Sequence, residues 1–323
     1  MAKPTRIKQM RYRMETLGLR LALMVIPRLS RKRVRSLAGL FGRVACYIDH
    51  RGRATAQSNL EQVFPEWSGK KRDLTVRESY RHQATTTLEL LWATRNLDAE
   101  TVKHYIRFEP VDEADYHKAI SGAAICITLH YSNFEWMSVA WGLIQDAKLM
   151  TVAENFKNPD ITTILKTLRE FSGAKLIPQE RAVIRLLKHL KRGGHTAFLT
   201  DLRVKPSKAA TIIESFGMKT PVTIAHGFLA KQTGAPIIPS ICLPQADGTY
   251  VFKAYPSFRA QPNDDVQQIA QRCWDCFEPT IRENPAPWLW MYKHWRYLPK
   301  DCNSADYPDY ANQSKGFHRL EEP

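Results

Sequence analysis

The sequence predicts an α/β fold: a mixed, mostly parallel sheet flanked by helices, with a basic amphipathic helical segment at the N-terminus. Three observations carry this expectation. From residue 121 onward, short β-type runs alternate with helical ones, the pattern of a sheet covered on its faces. Several of those runs are apolar almost throughout, as strands buried on both sides are. The first 53 residues hold fourteen Lys or Arg against only Glu15 and Asp49, about +12 of the formal +15.

A chain of 323 residues that is 44% apolar and 24% charged has the composition of a globular protein with a sizeable core. That excludes a disordered or polytopic membrane chain. The expected division is residues 1–55 as basic membrane-associating helices, 56–300 as the main domain, and 301–323 as a polar, peripheral tail.

At the N-terminus, Met14 to Ile26 is apolar but interrupted by Arg20 and ended by Pro27. Its longest unbroken run, Leu21 to Ile26, is far short of the roughly 20 residues a bilayer crossing needs. Val34 to Ile48 is apolar again and contains Arg35 and Arg43. Two basic helices lying in a membrane interface fit this pattern, and a helical pair packed on the core is the alternative. A secretory signal is not expected, because the run is short and no small-residue cleavage site follows. The interleaved apolar residues favour an anionic membrane surface over nucleic acid, for which there is no recognition motif.

Asp73 to Asn96 reads as a helix ending in Leu88, Leu90, Leu91 and Trp92. The strand candidates are Ala123 to Leu129, Lys148 to Ala153, Lys175 to Pro178, Thr196 to Thr200, Thr211 to Phe216, Pro236 to Leu243 and Thr249 to Tyr255. Thr249 to Tyr255 alternates openly, as an edge or antiparallel strand does. Helices are expected near Phe134 to Ile144, Pro159 to Phe171, Glu180 to Lys191 and Val222 to Gln232. Cys126 and Cys242 sit in apolar runs and read as buried hydrophobes. Cys273 and Cys276 fall in a helical stretch, Asp264 to Arg282, with no further ligand at zinc spacing. No metal and no cofactor are expected.

The stretch that carries chemistry is Leu129-His130-Tyr-Ser-Asn133-Phe-Glu135-Trp136. Ten histidines and 32 acids in 323 residues supply about one such five-residue spacing by chance, and the chain has two. Five residues along a helix rotate side chains by roughly 140°, so the pair can meet only across a break. His130 follows a strand candidate, Ser132 or Asn133 can cap a helix, and Glu135 falls in its first turn. His104 and Glu109 have no such cap and read as structural. His130 is therefore the candidate general base, with Glu135 expected to fix its tautomer and stabilise the imidazolium. A core histidine at a strand end is the alternative. With no GxSxG elbow and no cysteine placed to serve His130, direct attack by the substrate's own hydroxyl is the simpler chemistry.

These residues resemble the late acyltransferases of lipid A biosynthesis, of the lauroyl/myristoyl type, over roughly residues 10 to 300. His130-Tyr-Ser-Asn-Phe-Glu135-Trp is similar to that family's His-Phe-Gly-Asn-Trp-Glu block, and Asn59-Leu-Glu-Gln-Val-Phe64-Pro65 to its Asn-Leu…Phe-Pro signature. Gly193-Gly through Asp201, Phe216-Gly217, Thr233-Gly-Ala-Pro-Ile-Ile-Pro239 and Pro287-Trp-Leu-Trp through Trp295 follow in the family's order. The resemblance implies an acyl carrier protein thioester as donor and a hydroxyl of a membrane glycolipid, a lipid A precursor, as acceptor. It places the enzyme on the cytoplasmic face of the bacterial inner membrane, with His130 and Glu135 as the catalytic pair. It also places Asn133, Arg169, Asp201 and Arg203 around the substrate.

Ser132 stands in place of the motif's Gly, Tyr292 in place of its usual His, and Arg203 to Ala210 is less Gly-rich than in the family. Read from the residues alone, Arg169 is equally a solvated helix residue. Asp201, after a buried strand, needs a partner, which Arg203 is placed to supply. Trp288, Trp290, Tyr292 and Trp295 read as core or as a membrane-interface belt. The rival functions are a lysophospholipid acyltransferase using acyl-CoA, a hydrolase built on the same base, and a non-catalytic basic peripheral membrane protein.

Overall fold

The computed structural model describes residues 5–145, 148–153 and 156–321; Lys3 and the last two residues of the predicted tail lie outside them. The chain opens with α1 (Arg6–Val25), capped by Thr5, and α2 (Arg31–Ile48), capped by Ser30. Next come α3 (His50–Val63) and the long α4 (Gly69–Asn96), capped by Asp49 and Ser68. The expected boundary at residue 55 falls inside α3.

Two residue stripes explain how α1 and α2 sit. Val34, Ala38, Gly42 and Cys46 form the buried side of α2. This side lies so close to α4 that a Cβ on Gly42 would come 2.7 Å from Arg81 Cα. Ile7, Met10, Met14, Leu17, Leu21 and Met24 on α1, with Leu40, Phe41, Val44 and Tyr47 on α2, face outward uncovered. None of the described helices is long and apolar enough to cross a membrane.

The α/β part begins with β1 (Ile106–Pro110), α5 (Glu113–Ile120), β2 (Ala124–Thr128) and α6 (Phe134–Ile144). It continues through β3 (Leu149–Ala153), α7 (Pro159–Glu170), β4 (Lys175–Pro178), α8 (Ala182–Leu190) and β5 (His195–Leu199). A hairpin of β6 (Ala210–Ser215) and β7 (Met218–Thr223) turns through Phe216 and Gly217, both at positive φ, as a two-residue hairpin turn requires. After α9 (Ala225–Thr233), β8 (Ile237–Pro244) and β9 (Tyr250–Ala254) complete the main sheet. Its order is β1-β9-β8-β2-β5-β3-β4, and only β8 and β9 pair antiparallel. The α/β fold with a mostly parallel sheet is as expected from the sequence. β9 is antiparallel to β8, as expected, but it is interior, because β1 covers its other side.

The stretch expected as one helix breaks at Cys276 into α10 (Val266–Asp275) and α11 (Glu278–Glu283). The segment after Pro299 is docked rather than peripheral. It contains β11 (Asn312–Gln313), paired with β10 (Tyr297–Leu298), and α12 (Lys315–Glu321), whose Phe317 is fully buried.

The N-terminal helices are locked to the rest through Glu89 of α4, whose side chain is 0% exposed. Arg31 and Arg35 of α2 reach one of its oxygens at 2.8 and 3.3 Å. Asn133 and Tyr250 donate to the other at 2.7 and 2.6 Å. Arg31 also lies over the Tyr105, Trp136 and Tyr250 rings. A carboxylate removed from water and answered by two cations is costly to break from one side only. Glu89→Gln should therefore cost roughly 3–5 kcal/mol of stability, read as a lowered urea midpoint, with the slope of the transition unchanged.

Candidate active site

The register of the central sheet builds the site. β2 and β5 pair in parallel with Thr128 opposite Leu199, and Thr200 extends the ladder by donating to the Thr128 carbonyl at 3.0 Å. Two residues further, His130 and Asp201 stand side by side at the carboxyl ends of the strands, where open α/β sheets form their crevices. Asp201 Oδ2 accepts the His130 backbone N–H at 3.0 Å, and Oδ1 meets Nδ1 of the ring at 2.8 Å. Trp288 donates its indole N–H to Oδ2 at 2.9 Å, and the Asp201 side chain is 0% exposed.

Burial would push the Asp201 carboxyl up, but His130, His294 and the Trp288 indole together hold it below the usual carboxylate range. An ionised carboxylate only accepts, so Nδ1 carries a proton, and the tautomer this selects for the neutral ring has its lone pair on Nε2. Nε2 has no partner among the described residues, and the ring lines a cavity. The orienting role expected of Glu135 thus belongs to Asp201. The two-strand register brings residue 201 against Nδ1, whereas Glu135 binds Arg169 instead.

Glu135 sits in the first turn of α6 and forms a forked ion pair with Arg169 near the C-terminus of α7, with Nε 3.0 and 3.1 Å from its two oxygens. His130, Glu135 and Arg169 line the same cavity. The other expected substrate contacts are placed differently. Asn133 is buried as the N-cap of α6, its amide turned to Glu89, so it shapes the helix start rather than touching a ligand. Asp201 lies behind the imidazole and out of the cavity. Arg203 donates to the Lys293 carbonyl and packs over Tyr292 and Tyr297; it does not pair with Asp201. His104 and Glu109 are both exposed, and Glu109 binds Arg107.

Ser132 adopts φ 52, the left-handed conformation that glycine takes most easily. Its neighbours are held in place: Tyr131 bridges to Trp288, and Ser132 N–H donates to the Pro287 carbonyl. Trp288, Trp290 and Trp295 are at most 1% exposed, so the aromatic cluster is core and not an interface belt. Buried Asn59 pins this strap by donating to the carbonyls of Trp290 and Tyr292 at 2.8 Å each. The Trp288 contribution to the site was not foreseen from sequence, since nothing local links residue 288 to residue 201.

The cavity has a volume of about 640 Å³ and a mostly apolar lining. β3 and β5 pair only as far as Thr151 and Ala197, then diverge. On the α6 side the cavity wall is Thr128, Met137, Ser138, Trp141 and Leu199. A shallower groove of about 280 Å³ shares Ala153, Phe156 and Arg169 with it and continues past Lys166.

His130 and its buried carboxylate partner thus stand at the ends of adjacent parallel strands and open on a mostly apolar cavity suited to an apolar ligand. The sequence profile of the family described as bacterial lipid A biosynthesis acyltransferase matches residues 2–297, and the chain belongs to that family. It is 21% identical over 265 residues to a lipid A biosynthesis acyltransferase of Haemophilus influenzae, covering 78% of this chain and 79% of that one. It is 26% identical over 188 residues to a phosphatidylinositol mannoside acyltransferase of Mycobacterium tuberculosis (57% of this chain, 58% of the other). The corresponding Mycolicibacterium smegmatis protein is 25% identical over 177 residues, or 54% and 57% of the two chains. The protein is an acyltransferase.

Asp201→Asn keeps the shape of the carboxylate but offers Nδ1 a donor, favouring the wrong tautomer. Transfer should fall about 10²–10⁴-fold with the fold intact. Because the folded-state carboxyl lies below its unfolded value of about 3.9, its contribution to stability is present above that pH and fades as pH falls through the folded value. Urea midpoints should therefore drop more steeply below about pH 4 in the wild type than in Asp201→Asn.

Proposed function

We propose that the protein transfers a fatty acyl chain from an acyl carrier protein thioester to a hydroxyl of a membrane glycolipid, a lipid A precursor. The supporting observation is the His130 ring, fixed through Nδ1 and open at Nε2 to a mostly apolar cavity of about 640 Å³. The relatives' names support a glycolipid acceptor, since they include enzymes of lipid A and of phosphatidylinositol mannoside acylation.

In this mechanism Nε2 takes the proton of the acceptor hydroxyl while its oxygen attacks the thioester carbonyl. The tetrahedral oxyanion collapses, the C–S bond breaks, and the imidazolium returns the proton to the departing thiolate. Asp201 stabilises the transient imidazolium. Arg169, held by Glu135, is the cation available to the developing oxyanion.

The enzyme works on the cytoplasmic face of the inner membrane, resting on anionic lipid through α1 and α2. Support comes from their outward apolar stripes among arginines. α1 packs on the start of α7, where Asn158 donates to the Tyr12 carbonyl at 3.0 Å.

The test is transfer by purified protein in mixed vesicles, with a carrier-protein thioester and, separately, acyl-CoA, against a lipid A precursor and a lysophospholipid. Transfer from the carrier to the precursor is expected. His130→Ala should remove it, and Glu135→Gln should reduce it at least tenfold by freeing Arg169. Full activity of folded His130→Ala, or acylation of the lysophospholipid alone, would contradict the proposal.

A further inference from the structure

On the α6 face of the sheet, the cavity floor is laid in rows by the strand register. Thr128 and Leu199 form the row nearest His130. Cys126, Ala197 and Thr151 form the next, and Ala124, His195 and Leu149 the last. Thr128, Cys126, Ala197 and Thr151 are small, and Ala197 keeps some exposure at the centre of a sheet covered by a helix. That space is the part of the cavity on the α6 side of the sheet.

α6 runs back over these rows. Glu135 and Phe134 stand at the mouth, Met137 and Ser138 lie one turn deeper, and Trp141 lies about 9 Å below Glu135 along the helix. There the indole meets the last row, and with Leu149 and Phe252 it lines the far end. Trp141 is 2% exposed and packs against Phe252, Tyr116 and His195.

Its position is set by more than packing. The indole N–H donates to His195 Nδ1 at 3.0 Å, which leaves Nε2 of that ring as the donor to the Gly122 carbonyl at 2.7 Å. This chain of two hydrogen bonds ties the indole to the backbone at the foot of β2. Turning the indole aside would leave buried His195 Nδ1 without its donor. The helix cannot retreat either: a Cβ at Gly142 would lie 2.4 Å from the Ser172 carbonyl oxygen.

We propose that Trp141, locked by His195, is the end stop that sets the length of acyl chain this enzyme transfers. The inference rests on the acyl-transfer reading above and adds the residue that determines chain length. The thioester carbonyl is held at His130 and the chain runs down the small-residue rows until its terminal methyl meets the indole. One methylene too many must displace a hydrogen-bonded aromatic ring. One too few leaves the end of the cavity unfilled.

The test is a competition in which an equimolar pool of saturated carrier-protein thioesters, from decanoyl to octadecanoyl, is offered with the glycolipid acceptor. Products are read by mass spectrometry. Trp141→Ala should shift the ratio of the next longer even-numbered chain to the wild-type chain by roughly tenfold or more. Trp141→Phe, which keeps a ring but loses the N–H, should shift it in the same direction by less. Ala197→Leu, which fills the row nearer the mouth, should shift it toward shorter chains and keeps the test open should Trp141→Ala fold poorly. A wild-type product profile in folded Trp141→Phe and Ala197→Leu would overturn the end stop while leaving acyl transfer standing. Absence of transfer by the wild-type protein would overturn both.

Discussion

The structure turns on the contact between the Asp201 carboxylate and His130. One oxygen takes the backbone N–H and the other the ring N–H, so the carboxylate sets both where the residue sits and which nitrogen is basic. It is buried behind the imidazole, where an unanswered charge would be strongly unfavourable, and Trp288 supplies the third donor. That requirement explains why the strap from Pro285 to Trp295 is packed so deeply and pinned by Asn59. The aromatic core of this strap supports the hydrogen bond between Asp201 and His130.

A second buried carboxylate, Glu89, does for the helix what Asp201 does for the imidazole. It receives Asn133, the cap of α6, together with Arg31 and Arg35 from α2. The helix that carries Glu135 at the mouth and Trp141 at the end of the cavity is thereby joined to the helices with outward apolar stripes. The outward apolar stripes, the cavity wall and His130 are parts of one packed unit. A lipid acceptor held at the surface would meet the base without a large rearrangement.

Much of this was legible in the residues. Alternation of short apolar runs with helical stretches revealed the parallel sheet, because strands covered on both faces leave that pattern. The turn from Leu129 through Asn133 was readable as strand, break and capped helix, which placed His130 and Glu135 at one site. The partner of the imidazole was not readable. Glu135 is five residues from His130 and Asp201 is 71 away, and only the pairing of β2 with β5 makes the distant residue the neighbour. Arg169 was placed at the site only by the family resemblance; it lines the same cavity, and its pairing with Glu135 required the placement of α7 over α6. Trp288 carried no local signal at all, and the docked segment after Pro299 is mostly polar in sequence, with few apolar residues, Tyr307 and Phe317 the most buried among them, to anchor it.

The central claim concerns one proton: it resides on His130 Nδ1 against Asp201, leaving Nε2 to act as base. Nitrogen-15 NMR of histidine-labelled enzyme at neutral pH reads this directly, with His130→Gln identifying the resonance. The account predicts that the neutral form of the ring carries its proton at Nδ1, shifted downfield by the carboxylate. A ring protonated at Nε2, or one exchanging freely between tautomers, would contradict it.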